Sequence, residues 1–171
     1  MKYDIMVLSG GFDPIHKGHI SMIRGASELA KTVIVGVNSD AWLKRKKGKA
    51  FMDFEQRKYV VENIKGVSMV VGWDDTDDTA AELLMNVMSG VGALNGRVGA
   101  GVWTLRVAFG NGGDRKDTKT IPPQEVKICS EWEIDMVWGV GGEKVESSSK
   151  LLNKNKHPGV HDTSWLERNE D

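Results

Sequence analysis

Gly-Gly-Phe-Asp-Pro-Ile-His-Lys-Gly-His, residues 10–19, is the stretch that decides how this chain folds. An apolar run at residues 3–8 precedes it and predicts a buried strand. Apolar residues recur at helical spacing after it, from Ile20 to Ala30. Paired glycines let a strand turn tightly. The stretch therefore predicts a strand, a tight turn and a helix in direct succession.

The rest of the chain repeats this alternation and predicts an α/β protein. Short apolar runs that are typical of buried strands lie at residues 33–37, 67–71, 105–109 and 134–138. Asp53 with Gln56, and Thr79 with Glu82, have the capping-box spacing of helix starts. The order predicts a doubly wound, five-stranded parallel sheet in one domain, residues 1–152. The glycine-rich residues 89–102 are predicted to be irregular, and the polar residues 153–171 to form a peripheral tail.

Composition narrows the class of protein. The chain has 171 residues, of which 40% are hydrophobic and 27% charged, which fits one soluble domain with a sizeable core. A formal net charge of −1 offers no basic field for nucleic acid. No apolar run approaches the roughly 20 residues that span a bilayer. Cys129 is the single cysteine, so no internal disulfide is possible. We expect a cytoplasmic protein that binds neither membrane nor nucleic acid.

The glycines and histidines of residues 10–19 predict a phosphate site. Gly10 and Gly11 follow a strand directly and allow a phosphate to approach the main chain, and Gly18 does the same at the helix start. His16 and His19 are three residues apart, so near a helix start they share a face and can donate to phosphate oxygens. A zinc-binding pair is the weaker reading, because no convincing third or fourth ligand lies nearby.

Three later segments place polar residues at the same edge of the predicted sheet. A basic loop at residues 44–49 comes after the second strand and Asp40, a glycine-rich stretch at residues 110–115 follows the fourth strand, and three serines at residues 147–149 follow the fifth. Ligands of such sheets bind beyond the carboxyl ends of the strands. Taken singly, the segments equally fit a solvated basic turn, a glycine turn and a serine N-cap.

Residues 9–19 resemble the signature block of the cytidylyltransferase-like nucleotidyltransferases, with its F-D-x-x-H-x-G-H core. The later segments resemble further blocks of that family, closest in pattern to its glycerol-3-phosphate cytidylyltransferases and heptose-phosphate adenylyltransferases. The resemblance implies a Rossmann-like sheet. It also implies transfer of AMP or CMP from an NTP, either ATP or CTP, to a small phosphomonoester, with release of pyrophosphate and assistance from Mg²⁺.

The resemblance also implies roles for individual residues. The catalytic candidates are His16, His19, Lys46 and Lys44. The nucleotide-binding candidates are Gly10, Gly11, Phe12, Asp13, Gly18, Gly113, Asp114, Ser147, Ser148 and Ser149. The candidates for binding the phosphorylated substrate are Asp40 and Arg57. Several members of the family are dimers, which makes a homodimer an expectation for this chain.

Two departures from the family pattern keep alternatives open. Glu146 replaces the usual apolar residue before the serines, and the arginine that several members carry near this block is absent. The cation that meets the γ-phosphate is therefore open. A nucleotide-binding or regulatory module without catalysis is the alternative function. An aminoacyl-tRNA synthetase-like domain ranks last, because the chain is short and has no net positive charge.

Overall fold

The computed structural model describes residues 1–95, 105–113, 115–142, 148 and 151. Strands and helices alternate along this part of the chain. The strands are β1 (Tyr3–Gly10), β2 (Ala30–Val37), β3 (Met69–Val71), β4 (Val107–Gly110) and β5 (Asp135–Val137). The helices are α1 (Lys17–Leu29), α2 (Asp40–Lys47), α3 (Phe54–Glu62), α4 (Ala81–Asn95) and α5 (Pro123–Glu131). The predicted alternation of strands and helices is thereby confirmed.

The five strands form one parallel sheet in the order β3-β2-β1-β4-β5. Strand β1 is central, with Val7 facing Ile34 of β2 on one side and Phe109 of β4 on the other. The chain winds outward from β1 to β3 and then crosses back to β4. The gap between β1 and β4 is therefore the switch point, beyond which such sheets bind ligands. This confirms the predicted doubly wound, five-stranded, Rossmann-like sheet.

Each face of the sheet buries its own apolar core. Alternate residues of a strand point to opposite faces, so Met6 and Leu8 pack in the core that includes Ile23 of α1, whereas Val7 packs in the core that includes Leu83 of α4. These five side chains are at most 1% exposed. Burial on both faces explains why the strands read as continuous apolar runs rather than as alternating ones.

Helix α4 corrects the prediction for residues 89–102. The helix continues to Asn95, so the predicted irregular segment is helical over its first seven positions. Val87 and Val91 are four residues apart and pack with the α4–α5 core, and Val91 is buried. This burial outweighs the roughly 1 kcal/mol by which each of Gly90 and Gly92 disfavours a helix. The later part of that prediction, and the predicted tail at residues 153–171, lie outside the described residues.

Candidate functional site

The turn after β1 brings the main chain unusually close to helix α2. A Cβ atom on Gly11 would lie 2.9 Å from Cδ2 of Leu43, so only glycine fits there without displacing the leucine. Phe12 follows in a left-handed conformation (φ 49°) and is buried, with its ring centroid 4.8 Å from that of His19. The predicted tight turn therefore exists, and the buried Phe12 ring packs against the His19 ring. The predicted nucleotide contact of Phe12 stays a prediction.

His16 and His19 form a capping box at the start of α1. Nδ1 of His16 accepts the backbone N–H of Gly18 at 3.1 Å, and Nδ1 of His19 accepts the backbone N–H of His16 at 3.3 Å. The two rings stack with centroids 3.8 Å apart and 19° between their planes. A nitrogen that accepts a backbone N–H carries no proton, so each neutral ring is protonated at Nε2. The helix start thus fixes two imidazole donors side by side, as the spacing predicts.

Asp13 and Lys47 tie this turn to the segment that follows α2. The Asp13 carboxylate is fully buried, and its oxygens accept the backbone N–H groups of Phe51 and Met52, each at 2.8 Å. Nζ of Lys47 donates to the Asp13 carbonyl at 3.0 Å. Both carboxylate oxygens are therefore engaged. Asp13 thus ties the turn to residues 51 and 52, and its predicted nucleotide contact stays a prediction.

The predicted basic loop at residues 44–49 is mostly helix. Lys44 to Lys47 form the last turn of α2, and only Gly48, in a left-handed conformation, ends it. Ser39 caps the helix by accepting the Trp42 N–H at 3.0 Å, and Leu43 anchors it in the interior. Cations in a last turn are stabilised by the helix dipole. The segment is helical rather than a loop because Ser39 caps α2 and Leu43 anchors it. The charged residues of the segment do not by themselves predict these contacts.

The lysines of α2 fall into three environments. Nζ of Lys46 lies 3.5 Å from the Asp78 carboxylate and 5.8 Å from the Trp42 ring centroid. Lys44 is exposed and makes no ion pair within the described ranges. Partial loss of hydration is the main cause that lowers the pKa of the Lys47 ammonium, with the nearby Arg57 charge adding to it and the Asp13 charge opposing it. Lys46 is thus paired with Asp78, Lys44 faces solvent, and Lys47 is tied to the turn after β1 through the Asp13 carbonyl.

Arg57 is a fully buried clamp between four parts of the site. Nη1 donates to the carbonyls of Gly11 and Asn38 at 2.8 and 2.7 Å, and Nε donates to that of Met52 at 3.1 Å. Nη2 pairs with the Asp40 carboxylate at 2.6 Å. With its guanidinium so engaged, Arg57 positions the turn and α2, and its predicted contact with substrate stays a prediction. Asp40 is partly exposed beside it, and its predicted substrate contact likewise stays a prediction.

Asp75, which follows β3, is a part of the site that sequence reasoning missed. Its buried carboxylate accepts from Nδ2 of Asn38 at 3.1 Å, and from the N–H and Oγ of Ser39 at 2.7 and 2.6 Å. It thereby holds the residue that caps α2. The one signal in the sequence is its place in the segment after β3, at the edge where the other polar segments gather.

The ends of β4 and β5 enclose a separate part of the same edge. Asn111 follows β4 and is buried; its N–H donates to the Val137 carbonyl at 2.7 Å and its carbonyl accepts the Val140 N–H at 2.9 Å. Beside it lies a cavity of about 410 Å³. The cavity is lined by Gly113, Arg115, Lys116, Trp138, Gly139 and Gly142. Gly113 therefore lies where the sequence predicts, while Asp114 falls outside the described residues.

The serine block reaches back to the first motif. Oγ of Ser148 donates to the Pro14 carbonyl at 2.9 Å, and Ser148 is buried. The glycine loop before it packs tightly on α1, where a Cβ atom on Gly25 would lie 2.7 Å from the Gly141 nitrogen. Ser148 and the first motif thus meet, although 134 residues separate Pro14 from Ser148. The other two predicted serines, Ser147 and Ser149, lie outside the described residues.

The family model described as "Cytidylyltransferase-like" matches residues 7–157. The chain belongs to the cytidylyltransferase-like family. The predicted resemblance is therefore confirmed, and the match covers the first motif, α2, the β4–β5 edge and the serine block together.

Relatives and solved structures agree with this assignment. Glycerol-3-phosphate cytidylyltransferase of Staphylococcus aureus is 32% identical over 85 residues, which is 48% of this chain and 64% of the relative. The bifunctional protein HldE of Photorhabdus laumondii is 30% identical over 141 residues, which is 81% of this chain and 23% of the relative. The chain thus spans less than two thirds of the length of each. A bifunctional NMN adenylyltransferase/ADP ribose pyrophosphatase from Francisella tularensis shares the fold, with a TM-score of 0.59 and 21% identity over 89% of this chain and 42% of the other.

The described helices and acidic side chains bear on membranes and metals. Within the described residues, every helix is too short or too polar to cross a membrane. Over the same residues, no three His, Cys, Asp or Glu side chains gather closely enough to hold a metal ion. Mg²⁺ commonly binds through one or two carboxylates together with substrate phosphates. The described residues therefore offer no cage of three or more such side chains for Mg²⁺.

Proposed function

We propose that the protein transfers a nucleotidyl group, AMP or CMP, from an NTP to a small phosphomonoester such as a sugar, polyol or amino-alcohol phosphate. A phosphate oxygen of the acceptor attacks the α-phosphorus, the bond from that phosphorus to the bridging β-oxygen breaks, and pyrophosphate leaves. The magnesium complex of the NTP is the proposed form of the substrate, because the metal then arrives with its own phosphate ligands.

The stacked histidine pair at the start of α1 carries this proposal. Phosphoryl transfer depends mainly on alignment and on neutralising charge at the transferring and leaving phosphates. Two Nε2 donors at the positive end of a helix dipole meet that need. The cap fixes their tautomer before substrate arrives, so no reorganisation is needed at the moment of reaction. His16 and His19 are the proposed catalytic residues, and they act as hydrogen-bond donors.

The remaining parts of the site divide between the two substrates. The cavity between the ends of β4 and β5 is the proposed place of the base and ribose, since an aromatic side chain and glycine backbone line it. The rim of α2, with Lys46, Lys44 and Asp40, is the proposed place of the acceptor phosphate. Lys46 lies beside the Asp78 carboxylate, a position in which it already contacts an anion. These assignments put donor and acceptor on either side of the turn after β1.

One assay tests the proposal against an inactive nucleotide-binding module. The protein is incubated with Mg²⁺, each of the four NTPs in turn, and a panel of sugar, polyol and amino-alcohol phosphates, and pyrophosphate release is measured. We expect release that requires one acceptor and one NTP. Nucleotide binding without release for any pair would establish the alternative function. A homodimer stays a prediction, which sedimentation of the full chain would check.

A further inference from the structure

Arg115 and Lys116 are two cationic residues that line the β4–β5 cavity, beside Trp138. Arg115 belongs to the turn after β4, where its N–H donates to the Gly112 carbonyl at 3.0 Å. Its side chain is 37% exposed, so a ligand in the cavity can reach it. Arg115 ends the glycine-rich segment at residues 110–115 but is not among the nucleotide-binding candidates of that segment, and it lies far along the chain from the histidine pair.

The guanidinium of Arg115 is held from one side only. Nη1 donates to Oδ1 of Asn111 at 3.3 Å and lies 3.5 Å from Oε2 of Glu125. Among the described residues, Nε and Nη2 have no hydrogen-bond partner. These two nitrogens form the flat edge of the guanidinium and present two parallel donors. The anchoring on Nη1 thus leaves a two-donor fork for whatever occupies the cavity.

Glu125 is the buried counter-charge that holds this arrangement. It lies in the first turn of α5 with its side chain 3% exposed, and its Oε1 accepts the Ala80 N–H at 2.8 Å. Its Oε2 lacks a hydrogen bond within the described part of the chain. A buried carboxylate oxygen with one cation nearby attracts that cation strongly, because little water screens the pair. Glu125 is therefore placed to set the direction in which Arg115 points.

We propose that Arg115 selects the base of the nucleotide, with Glu125 as its positioning residue, and that it favours cytosine over adenine. The inference rests on the proposed function for the location of the base. An arginine fork pairs best with two adjacent acceptors on one base edge. Cytosine presents O2 and N3 as such a pair, whereas the Watson–Crick and major-groove edges of adenine each set the N6 donor beside one acceptor, and its third edge offers N3 alone. Of the two nucleotides that the proposed function leaves open, the fork therefore matches CTP.

The experiment measures equilibrium binding of CTP, ATP, GTP and UTP to the full chain, alongside pyrophosphate release. The variants are Arg115→Lys, which removes the fork and keeps the charge, and Glu125→Gln, which removes the counter-charge and keeps the shape. Arg106→Lys is the matched control, because Arg106 precedes β4 at the opposite edge of the sheet and pairs with Asp135. It makes the same chemical change away from the cavity.

We expect the wild-type protein to bind CTP about tenfold more tightly than ATP, the scale of one good bidentate contact. Arg115→Lys should abolish this ratio by weakening CTP alone, and Arg106→Lys should preserve it. Glu125→Gln should lower the ratio in the same direction. A merely structural role for Glu125 would lower the melting temperature without moving the ratio. If Glu125→Gln fails to fold, the CTP-to-ATP ratio of Arg115→Lys still tests the proposal, because Arg115 is partly exposed.

Three results would overturn the inference. One is wild-type binding of ATP at least as tight as that of CTP. Another is equal weakening of all four NTPs by Arg115→Lys, which would place the fork on the phosphates. A third is tighter binding of GTP than of CTP, because guanine also offers two adjacent acceptors. CTP-selective binding without pyrophosphate release would instead sink the transferase proposal and leave the role of Arg115 standing.

Discussion

Nδ1 of His19 accepts the backbone N–H of His16, while Nδ1 of His16 accepts that of Gly18. The two histidines therefore cap the helix at whose start they stand. One set of ring nitrogens satisfies orphan N–H groups at the helix start. The other set, the Nε2 atoms, holds the protons that a phosphate oxygen can accept. In the proposed mechanism, stability and chemistry are therefore divided between the two nitrogens of each ring.

This division predicts that His16→Asn separates folding from catalysis. Asparagine is a good N-cap residue and can accept the Gly18 N–H in place of Nδ1. It lacks the stacked Nε2 donor, so we expect turnover to fall by roughly 10²–10³-fold, as for loss of one preorganised donor. The melting temperature should stay close to that of the wild type. Pyrophosphate release and thermal unfolding measure the two effects.

His16→Ala is the matched comparison. It should lose turnover to a similar degree. It should also lose about 1 kcal/mol of unfolding free energy, because alanine has no side-chain acceptor for the Gly18 N–H. Near-normal turnover in the asparagine variant would remove the proposed catalytic role of His16.

The turn after β1 predicts a steric conflict between Gly11 and Leu43. In Gly11→Ala the new Cβ would press on Cδ2 of Leu43, which is fully buried. Overpacking of this kind typically lowers the free energy of unfolding by about 1–3 kcal/mol. Urea unfolding measures it, and combining the change with Leu43→Ala should recover part of the loss in a double-mutant cycle.

Gly92→Ala is the control for that substitution. Gly92 lies inside α4, and a Cβ atom there would meet nothing within 4 Å among the residues that the structure describes. Alanine is the better helix former, so this variant should be neutral or more stable by up to about 1 kcal/mol. Additive behaviour of the Gly11 and Leu43 changes would contradict the proposed contact.

Local patterns predicted most of the fold because the determining signals are close together in sequence. The strand–turn–helix order around Gly11, and the Asp53 cap that accepts the Gln56 N–H at 2.9 Å, depend on residues within one or two turns. The histidine pair was predictable for the same reason, because both histidines lie within the first motif. Family resemblance then joined the distant blocks, whose meeting at Ser148 and Pro14 no local rule reveals.

Contacts between distant residues account for what the sequence did not predict. Asp75 binds Ser39 across 36 positions, Glu125 binds the Ala80 N–H across 45, and Lys47 binds the Asp13 carbonyl across 34. Periodicity carries no information on such pairs. The supporting contacts of Asp13 and Arg57 were missed for the same reason, since a charged residue within a motif has the same sequence pattern whether it contacts a ligand or supports the site.

Asp75 provides a test of this support. Asp75→Asn keeps the shape of the side chain but puts an amide where Ser39 donates two hydrogen bonds and Asn38 a third. Loss of a buried charged acceptor should reduce the free energy of unfolding by about 2 kcal/mol. Urea unfolding gives the value. Asp74→Asn, at an exposed neighbour, should change stability little, and an equal loss in both variants would refute the specific role of Asp75.

Cys129 predicts a pH dependence of stability at alkaline pH. Burial raises the pKa of its thiol from 9.0 to about 12, and the nearby Glu125 charge adds to the effect. The unfolded chain therefore releases the thiol proton near its ordinary pKa, whereas the folded protein keeps it. The folded state binds more protons between these two values, so the free energy of unfolding should fall as pH rises through that range. Below pH 9 the thiol's contribution is fully present.

Cys129→Ala isolates this contribution. The difference in unfolding free energy between wild type and variant should shrink from about pH 9 to about pH 11, since only the wild type loses stability through the thiol. Alkylation gives an independent measure, because the thiolate is the reactive form. Near neutral pH, iodoacetamide should label the urea-unfolded chain and spare the folded one. Rapid labelling of the folded protein would show that the thiol is accessible and ionises at an ordinary pH, which contradicts both the burial of Cys129 and the direction of its pKa.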